Sequence, residues 1–159
     1  MATPRNCKIE EKLTLFYAIQ QQLEKQAETL PLIDENIDLF IKLIDLFIWG
    51  EKNEQVFSDV FIEKNMLNYF LVLLTNSSKA GRSKESVIKL MKCYSFFILN
   101  IKNPETTSYV FSHSNFNNFL KFPFDFRDEE VVFYYTNFVK SLTQKFDYFP
   151  FQIFYNRVS

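Results

Sequence analysis

Residues 37–71 read I-D-L-F-I-K-L-I-D-L-F-I-W-G-E-K-N-E-Q-V-F-S-D-V-F-I-E-K-N-M-L-N-Y-F-L, and a similar pattern begins fifty residues later in the chain. The alignment at this offset needs no gap and keeps polar as well as apolar positions in register. It pairs Lys42 with Lys92, Phe47 with Phe97, Asn53 with Asn103, Phe61 with Phe111, Asn65 with Asn115 and Asn68 with Asn118. Chance matches between apolar residues would not also preserve lysines and asparagines, so the sequence contains an internal repeat.

The period of this repeat predicts the architecture of the chain. A period of about 40 to 50 residues built from amphipathic helices is typical of armadillo and HEAT proteins. In such an α-solenoid no unit buries its apolar face alone, so neighbouring units must stack. We therefore predict an all-α fold of about two and a half units, whose function lies on an extended surface.

The composition excludes several classes of protein. The chain has 159 residues and a formal net charge of −1, so no overall charge attracts it to nucleic acid or to an anionic membrane. Aromatic residues make up 18% of the sequence. We interpret them as contacts between helices, with an aromatic ligand-binding array as the alternative. Cys7 and Cys93 lie far apart, which predicts a reduced chain without a disulfide framework.

Apolar spacing and capping residues predict helices along the whole chain. After a disordered start at residues 1–7, we expect one helical-repeat domain over residues 8–159. The final residues resemble the beginning of a third unit, so we expect the domain to be truncated at its C-terminus. The predicted helices cover residues 8–28, 37–49, 54–64, 66–74, 84–101, 104–112, 116–121 and 127–145.

Certain residues are predicted to anchor the repeat. Trp49 is expected in the core between the units, with a hot spot in a partner groove as the alternative. Gly50 is expected in the left-handed conformation that often follows a helix. Asn65 and Asn115 are expected to break the chain between two short helices of each unit. The full set of predicted anchors is Trp49, Gly50, Phe61, Asn65, Phe111 and Asn115.

Basic residues gather around the polar loop that joins the two units. We interpret them as a solvated helix face, with contact to an acidic partner segment or a phosphoinositide as the alternative. Lys89 and Lys92 are three residues apart and share one face of the predicted helix. Under this alternative, the candidate partner-binding residues are Lys79, Arg82, Lys84, Lys89 and Lys92.

The sequence offers no constellation for catalysis or metal binding. His113 has no cysteine or serine at catalytic spacing, and it aligns with the helix-end residue Glu63. The acidic residues at 125–130 lack the glycine and the spacing of a calcium loop, and N-capping explains them. No glycine-rich phosphate loop is present. We therefore expect no catalytic residues, no metal and no cofactor, and a protein that is not an enzyme.

Three segments resemble the FPL-domain family. The first is L-F-I-W-G-E-K-N at 46–53, followed by V-F-S-D-V-F-I-E-K-N-M-L-N-Y-F-L at 56–71. The second is F-D-F-R-D-E-E-V-V-F-Y-Y-T-N-F-V-K-S-L at 124–142, and the third is F-Y-N at 154–156. This family forms the N-terminal region of ema-like endosome-maturation and mitophagy-regulating proteins that carry a C-type lectin name.

The resemblance implies a function that the residues alone do not give. It implies a cytoplasmic, armadillo-like interaction scaffold in endosome-to-lysosome trafficking, autophagy and mitophagy, with trafficking or ubiquitin-ligase proteins as partners and no nucleic acid. Peripheral association with endosomal or lysosomal membranes is a further expectation. The alternative hypothesis is a peripheral membrane adaptor that contacts lipid through the basic loop or through the Phe-rich tail at residues 148–155.

Overall fold

The structure is a computed structural model, and it describes residues 4–26, 34–79 and 83–146. These ranges form helices joined by turns and contain no strand, which confirms the all-α prediction. The helices are α1 (Pro4–Glu24), α2 (Asp34–Glu51), α3 (Gln55–Glu63), α4 (Leu67–Lys79), α5 (Ser83–Asn100), α6 (Pro104–Val110), α7 (His113–Leu120) and α8 (Glu129–Phe146). The predicted third unit at the end of the chain lies outside the described residues.

The order of helices repeats as the sequence alignment predicts. Helices α2, α3 and α4 form one series, and α5, α6 and α7 form a second series with the same order. Local signals fix several of the boundaries. The side chain of Asn103 caps α6 by accepting from Glu105 N at 2.8 Å, and Pro104 occupies the first turn, where no N–H is needed. Asp128 caps α8 by accepting from Glu130 N at 2.9 Å.

The long helices α2, α5 and α8 run parallel, with their C-terminal ends together. The Glu51 carboxylate, in the last residue of α2, accepts from the backbone N–H of Lys102, just beyond α5. Lys145, near the end of α8, donates to the carbonyl of Ile101. At the other end, Lys84 of α5 contacts Asp128 ahead of α8 at 3.0 Å. Helix α5 therefore lies between α2 and α8 and packs against both.

Aromatic side chains build the core that joins the two series. Phe47 of α2 stacks on Phe61 of α3 with ring centroids 4.2 Å apart, and Phe61 lies 5.5 Å from Phe97 of α5. Tyr94, one turn before Phe97, stacks on Phe138 of α8 at 5.5 Å. All five rings are buried. The aromatic residues of this cluster thus serve as helix contacts, and Phe47 and Phe97, paired by the repeat, lie 5.8 Å apart in one core.

The first helix differs from its prediction at both ends. Helix α1 begins at Pro4, so residues 4–7, which were assigned to a disordered start, are helical. Proline is favoured in the first turn of a helix, where it can begin α1 before the apolar pattern starts. The helix ends at Glu24, four residues before the predicted end. Helix α4 instead continues beyond Leu74 to Lys79, through polar residues that were predicted to form a loop.

Gly50 has a different role from the predicted one. It lies inside α2 and does not take the left-handed conformation. A Cβ at this position would lie 2.2 Å from Cγ of Phe57, closer than real Cβ contacts. Gly50 is therefore required because the α2 backbone passes directly over the Phe57 ring of α3.

The two predicted asparagine breaks do not behave alike. Asn65 has φ 47°, and its N–H donates to Ile62 O at 3.0 Å while Met66 N donates to Phe61 O at 3.1 Å. These are the two bonds of a Schellman motif, with asparagine in the position that usually holds glycine.

Asn115, in contrast, lies inside α7 and breaks nothing. The interruption in the second series falls at residues 111–112, because α6 ends at Val110 and Ser112 takes the extended conformation that precedes a helix. The buried Phe111 forms the C-cap of α6, whereas its counterpart Phe61 is buried inside α3.

Trp49 lies at the edge of the first series and not between the units. Its side chain is partly buried and packs against the core. The indole ring meets Phe57 edge-on at 6.3 Å, and the ammonium groups of Lys8 and Lys12 of α1 lie 5.8 and 5.0 Å from its centroid. Trp49 therefore joins α1, α2 and α3.

Candidate interaction surface

The described basic residues of the predicted site, Lys84, Lys89 and Lys92, have different surroundings. Lys84 contacts two carboxylates at the start of α8, Asp128 at 3.0 Å and Glu130 at 3.1 Å. Its bonds to Asp128 and then Glu130 raise the pKa of Lys84, and the bond from Lys84 lowers the pKa of Asp128. Lys79 is the last residue of α4, and its side chain lies outside the described part, as does the whole of Arg82.

Lys89 and Lys92 instead belong to an exposed stripe on α5. They are followed by Phe96 and Leu99, at successive spacings of three, four and three residues, so all four side chains share one face of the helix. The two apolar members are exposed, with Phe96 at 49% and Leu99 at 42%. The stripe is cationic in its first half and apolar in its second.

The stripe continues onto the neighbouring helix α8. The ammonium group of Lys92 lies 4.6 Å from the centroid of the Tyr134 ring, within the range of a cation–π contact. Phe133 meets Tyr134 edge-on at 5.1 Å and is 58% exposed. We call this surface the α5–α8 strip, and it consists of Lys89, Lys92, Phe96, Leu99, Phe133 and Tyr134.

The α5–α8 strip concentrates apolar surface that the fold does not bury. Of the eight large apolar side chains exposed in the described ranges, Phe96, Leu99 and Phe133 lie in the strip. Phe96 and Leu99 are neighbours on α5, whereas Phe133 lies beside the contact between Lys92 and Tyr134. Exposed apolar residues grouped with charged ones on two packed helices are typical of an interaction site. Aromatic side chains with a nearby cation supply contact area and orientation to a protein partner.

A buried charged cluster at the C-terminal ends of the long helices was not predicted from the sequence. Glu51 and Lys145 are both buried, and each bonds to the backbone that follows α5. Burial raises the pKa of Glu51, while bonds from the backbone of Lys102 and Asn103 and the charge of Lys145 oppose the shift. Burial lowers the pKa of Lys145. In the sequence, this pair is indicated only by a charged residue at or next to the C-terminal end of α2 and of α8.

A second contact missed from the sequence ties the two series together. The Tyr109 hydroxyl of α6 donates to the Asn65 side chain and accepts from Leu67 N at 3.3 Å. Burial raises the pKa of Tyr109 to about 12, so the hydroxyl keeps its proton at neutral pH. The alignment places Tyr109 opposite Asp59, so no repeat match pointed to it.

The described residues show little that resembles a catalytic centre. They contain no group of three or more His, Cys, Asp or Glu side chains that could hold a metal ion. Burial raises the pKa of the Cys93 thiol to about 12. His113 begins α7, and its side chain lies outside the described part. Asp125 and Asp128 accept from backbone N–H groups, as predicted for capping residues.

The structure also bears on the lipid-contact hypothesis. Within the described ranges, no helix combines the length and the apolar character needed to cross a membrane. The Phe-rich tail at 148–155 lies outside these ranges. Of the basic loop, Lys84 is engaged by two carboxylates, which reduces the positive charge available to a lipid headgroup.

The chain is similar to parts of much longer proteins. It is 31% identical over 157 residues to the CLEC16A homolog of Drosophila melanogaster, and the matched region covers 96% of this chain and 14% of that protein. It is 32% identical over 127 residues to CLEC16A of Homo sapiens, and this match covers 77% of this chain and 12% of the human protein. It is 27% identical over 128 residues to TRANSPARENT TESTA 9 of Arabidopsis thaliana, and this match covers 77% of this chain and 15% of the plant protein. The chain thus spans a small fraction of the length of these relatives.

The comparison with family models agrees with these relatives. No solved structure matches the chain significantly. The model of the FPL family, described as an uncharacterised conserved protein, matches residues 40–159. This range includes α3 to α8 and most of α2, and hence the whole α5–α8 strip. Because the match covers most of the sequence and the fly and human relatives are more than 30% identical, the chain belongs to the FPL family.

Proposed function

We propose that this chain is a non-enzymatic protein-interaction scaffold that acts in endosome-to-lysosome trafficking and in autophagy, including mitophagy. The observation that carries the proposal is the α5–α8 strip, an exposed cationic and aromatic surface on helices whose opposite faces are buried. The cellular pathway is the one that membership of the FPL family suggests, through its CLEC16A relatives. We expect partners among trafficking or ubiquitin-ligase proteins.

We further propose that the helices form an armadillo-like or HEAT-like repeat. Two features support this arrangement: the order of α2, α3 and α4 recurs in α5, α6 and α7, and the long helices lie side by side and parallel. In a solenoid of this kind, equivalent helices line one continuous surface. Lys92 and its counterpart Lys42 in α2 are both exposed, which fits a partner surface shared by successive units.

The docking mechanism follows from the chemistry of the strip. Phe96, Leu99 and Phe133 would be covered by apolar side chains of the partner, and this burial would supply most of the affinity. Lys89 and Lys92 would orient the partner by attracting carboxylates at the edge of the contact. Because Tyr134 holds the Lys92 ammonium group over its ring, this charge is positioned before the partner arrives.

Affinity purification from cells tests the proposal. A variant carrying Lys92→Glu, Phe96→Ala and Phe133→Ala removes the strip but changes only exposed residues, and Leu15→Ala on α1 is a matched exposed control. We expect the unmodified chain and the control to enrich endosomal, autophagy or ubiquitin-ligase proteins, and the strip variant to lose them. Circular dichroism should show equal helicity in all three. Recovery of the same proteins with the strip variant would contradict the proposal.

A further inference from the structure

A groove on another face of the molecule is not explained by the α5–α8 strip. It has a volume of about 520 Å³ and lies between α4 and the end of α7 with the residues that follow it. Its apolar lining includes Leu71 and Val72 of α4 and Phe122 beyond α7. Concave surfaces with an apolar lining and a few polar groups are the usual form of a binding site.

Two asparagines that the repeat places in register line this one groove. Asn68 lies in the first turn of α4 and Asn118 lies near the end of α7, and the offset of fifty residues aligns them. Both are exposed. They line the same groove although the helix break lies at Asn65 in the first series and at residues 111–112, before the equivalent Asn115, in the second. Asparagine is a poor helix former, so an exposed asparagine in each helix gives the fold itself little stability.

The amide groups indicate what the groove recognises. An asparagine side chain offers one carbonyl acceptor and two N–H donors, which match the N–H and C=O groups of a peptide main chain. A helical partner has already paired its own main-chain groups, whereas an extended segment presents them outward. Two asparagines on neighbouring helices are therefore suited to an extended peptide.

Charge gives a second element of recognition. Among the described residues that line the groove, Lys121 is the only charged one, so the groove carries positive charge. Lys121 is exposed and directly precedes the apolar Phe122. A partner segment that carries an acidic residue next to an apolar one would complement this end of the groove.

We infer that the groove between α4 and α7 binds an extended, acidic and apolar peptide segment of a partner protein. Asn68 and Asn118 pair with its main chain, Leu71, Val72 and Phe122 receive an apolar side chain, and Lys121 faces its carboxylate. This inference rests on the proposed scaffold function, but it uses helices other than those of the α5–α8 strip.

Selection of short peptides displayed on phage, with the complete chain as bait, tests this inference. The selected peptides are then titrated against the chain by fluorescence anisotropy, with a version methylated on its main-chain nitrogens as a control. Asn68→Ala combined with Asn118→Ala should weaken binding by about tenfold or more, because at least two hydrogen bonds are lost. Asn137→Ala on α8, at a partly buried asparagine that does not line the groove, should leave binding unchanged, and Lys121→Glu should weaken it.

The outcomes separate this inference from the scaffold proposal. We expect acidic and apolar peptides to be selected, to bind the strip variant as tightly as the unmodified chain, and to lose affinity when methylated. Failure to select any peptide whose binding depends on Asn68 and Asn118 would overturn the inference. If the strip variant still loses its cellular partners in that case, the scaffold proposal stands without the groove.

Discussion

The backbone of Gly50 passes so close to the ring of Phe57 that a Cβ at Gly50 would lie 2.2 Å from Phe57 Cγ. The ring cannot retreat easily, because Phe57 is fully buried and its centroid lies 5.2 Å from that of Phe16 in α1. This contact fixes the distance between α2 and α3 and explains why glycine stands inside a helix, where it otherwise costs stability.

Gly50→Ala should therefore destabilise the chain by about 1–3 kcal/mol, the usual cost of overpacking a filled core. Urea denaturation followed by circular dichroism measures the change in the free energy of unfolding. Gln144→Ala, at an exposed position of α8, is the control and should leave the midpoint nearly unchanged. An unchanged midpoint for Gly50→Ala would show that the two helices can separate at no cost.

The left-handed conformation of Asn65 leads to a prediction about two substitutions. Asn65→Ala should cost about 1–2 kcal/mol, because alanine is strained at φ 47° and cannot accept from Tyr109. Asn65→Gly loses the same hydrogen bond but tolerates the backbone conformation, so it should cost less. Urea denaturation measures the loss in the free energy of unfolding for both variants. Equal losses would mean that the hydrogen bond to Tyr109, and not the backbone conformation, accounts for the stability that Asn65 provides.

Local signals in the sequence placed several helices accurately. The predicted helix at 84–101 agrees with α5 within one residue at each end, and Pro104 marks the start of α6 as predicted. In these places the apolar spacing and the capping residue lie within a few positions of each other. Helix α4 was predicted too short because polar residues at 75–79 resemble a loop, although a helix continues through polar residues on its exposed side.

Tertiary contacts explain what the sequence could not predict. A glycine at a helix end and a glycine under an aromatic ring look identical in sequence, so the contact of Gly50 with Phe57 was missed. The repeat offset aligned Asn115 with Asn65, but an alignment does not determine which residue takes the turn. The ion pairs of Lys84 were not predicted, because its carboxylate partners lie more than forty residues away in the sequence.

The partial burial of Trp49 leads to a smaller predicted effect than full burial would. A fully buried tryptophan costs about 3–5 kcal/mol when truncated. Because part of the Trp49 side chain is exposed, we expect Trp49→Ala to cost about 1–3 kcal/mol, from lost apolar contact and the cation–π contacts with Lys8 and Lys12. Phe57→Ala is the comparison and should cost more, because Phe57 is fully buried. Equal losses in urea denaturation would contradict this placement.

The buried carboxyl group of Glu51 predicts how stability depends on pH. Burial raises its pKa in the folded chain, so the folded state binds this proton more tightly than the unfolded state does. The contribution of this proton to the free energy of unfolding is fully present below the ordinary pKa of 4.5, and it is lost as pH rises through the raised pKa of the folded chain. Glu51→Gln stays neutral and can still accept from Lys102 N, so it removes this loss.

The free energy of unfolding of Glu51→Gln, relative to the unmodified chain, should therefore increase between about pH 4 and about pH 7. The opposing charge of Lys145 reduces this increase, because the glutamine no longer neutralises that buried ammonium group. Urea denaturation at several pH values measures the difference, with the exposed Glu63→Gln as control. A difference that is constant across this range would contradict the prediction, because it would mean that Glu51 ionises in the folded chain as easily as in the unfolded one.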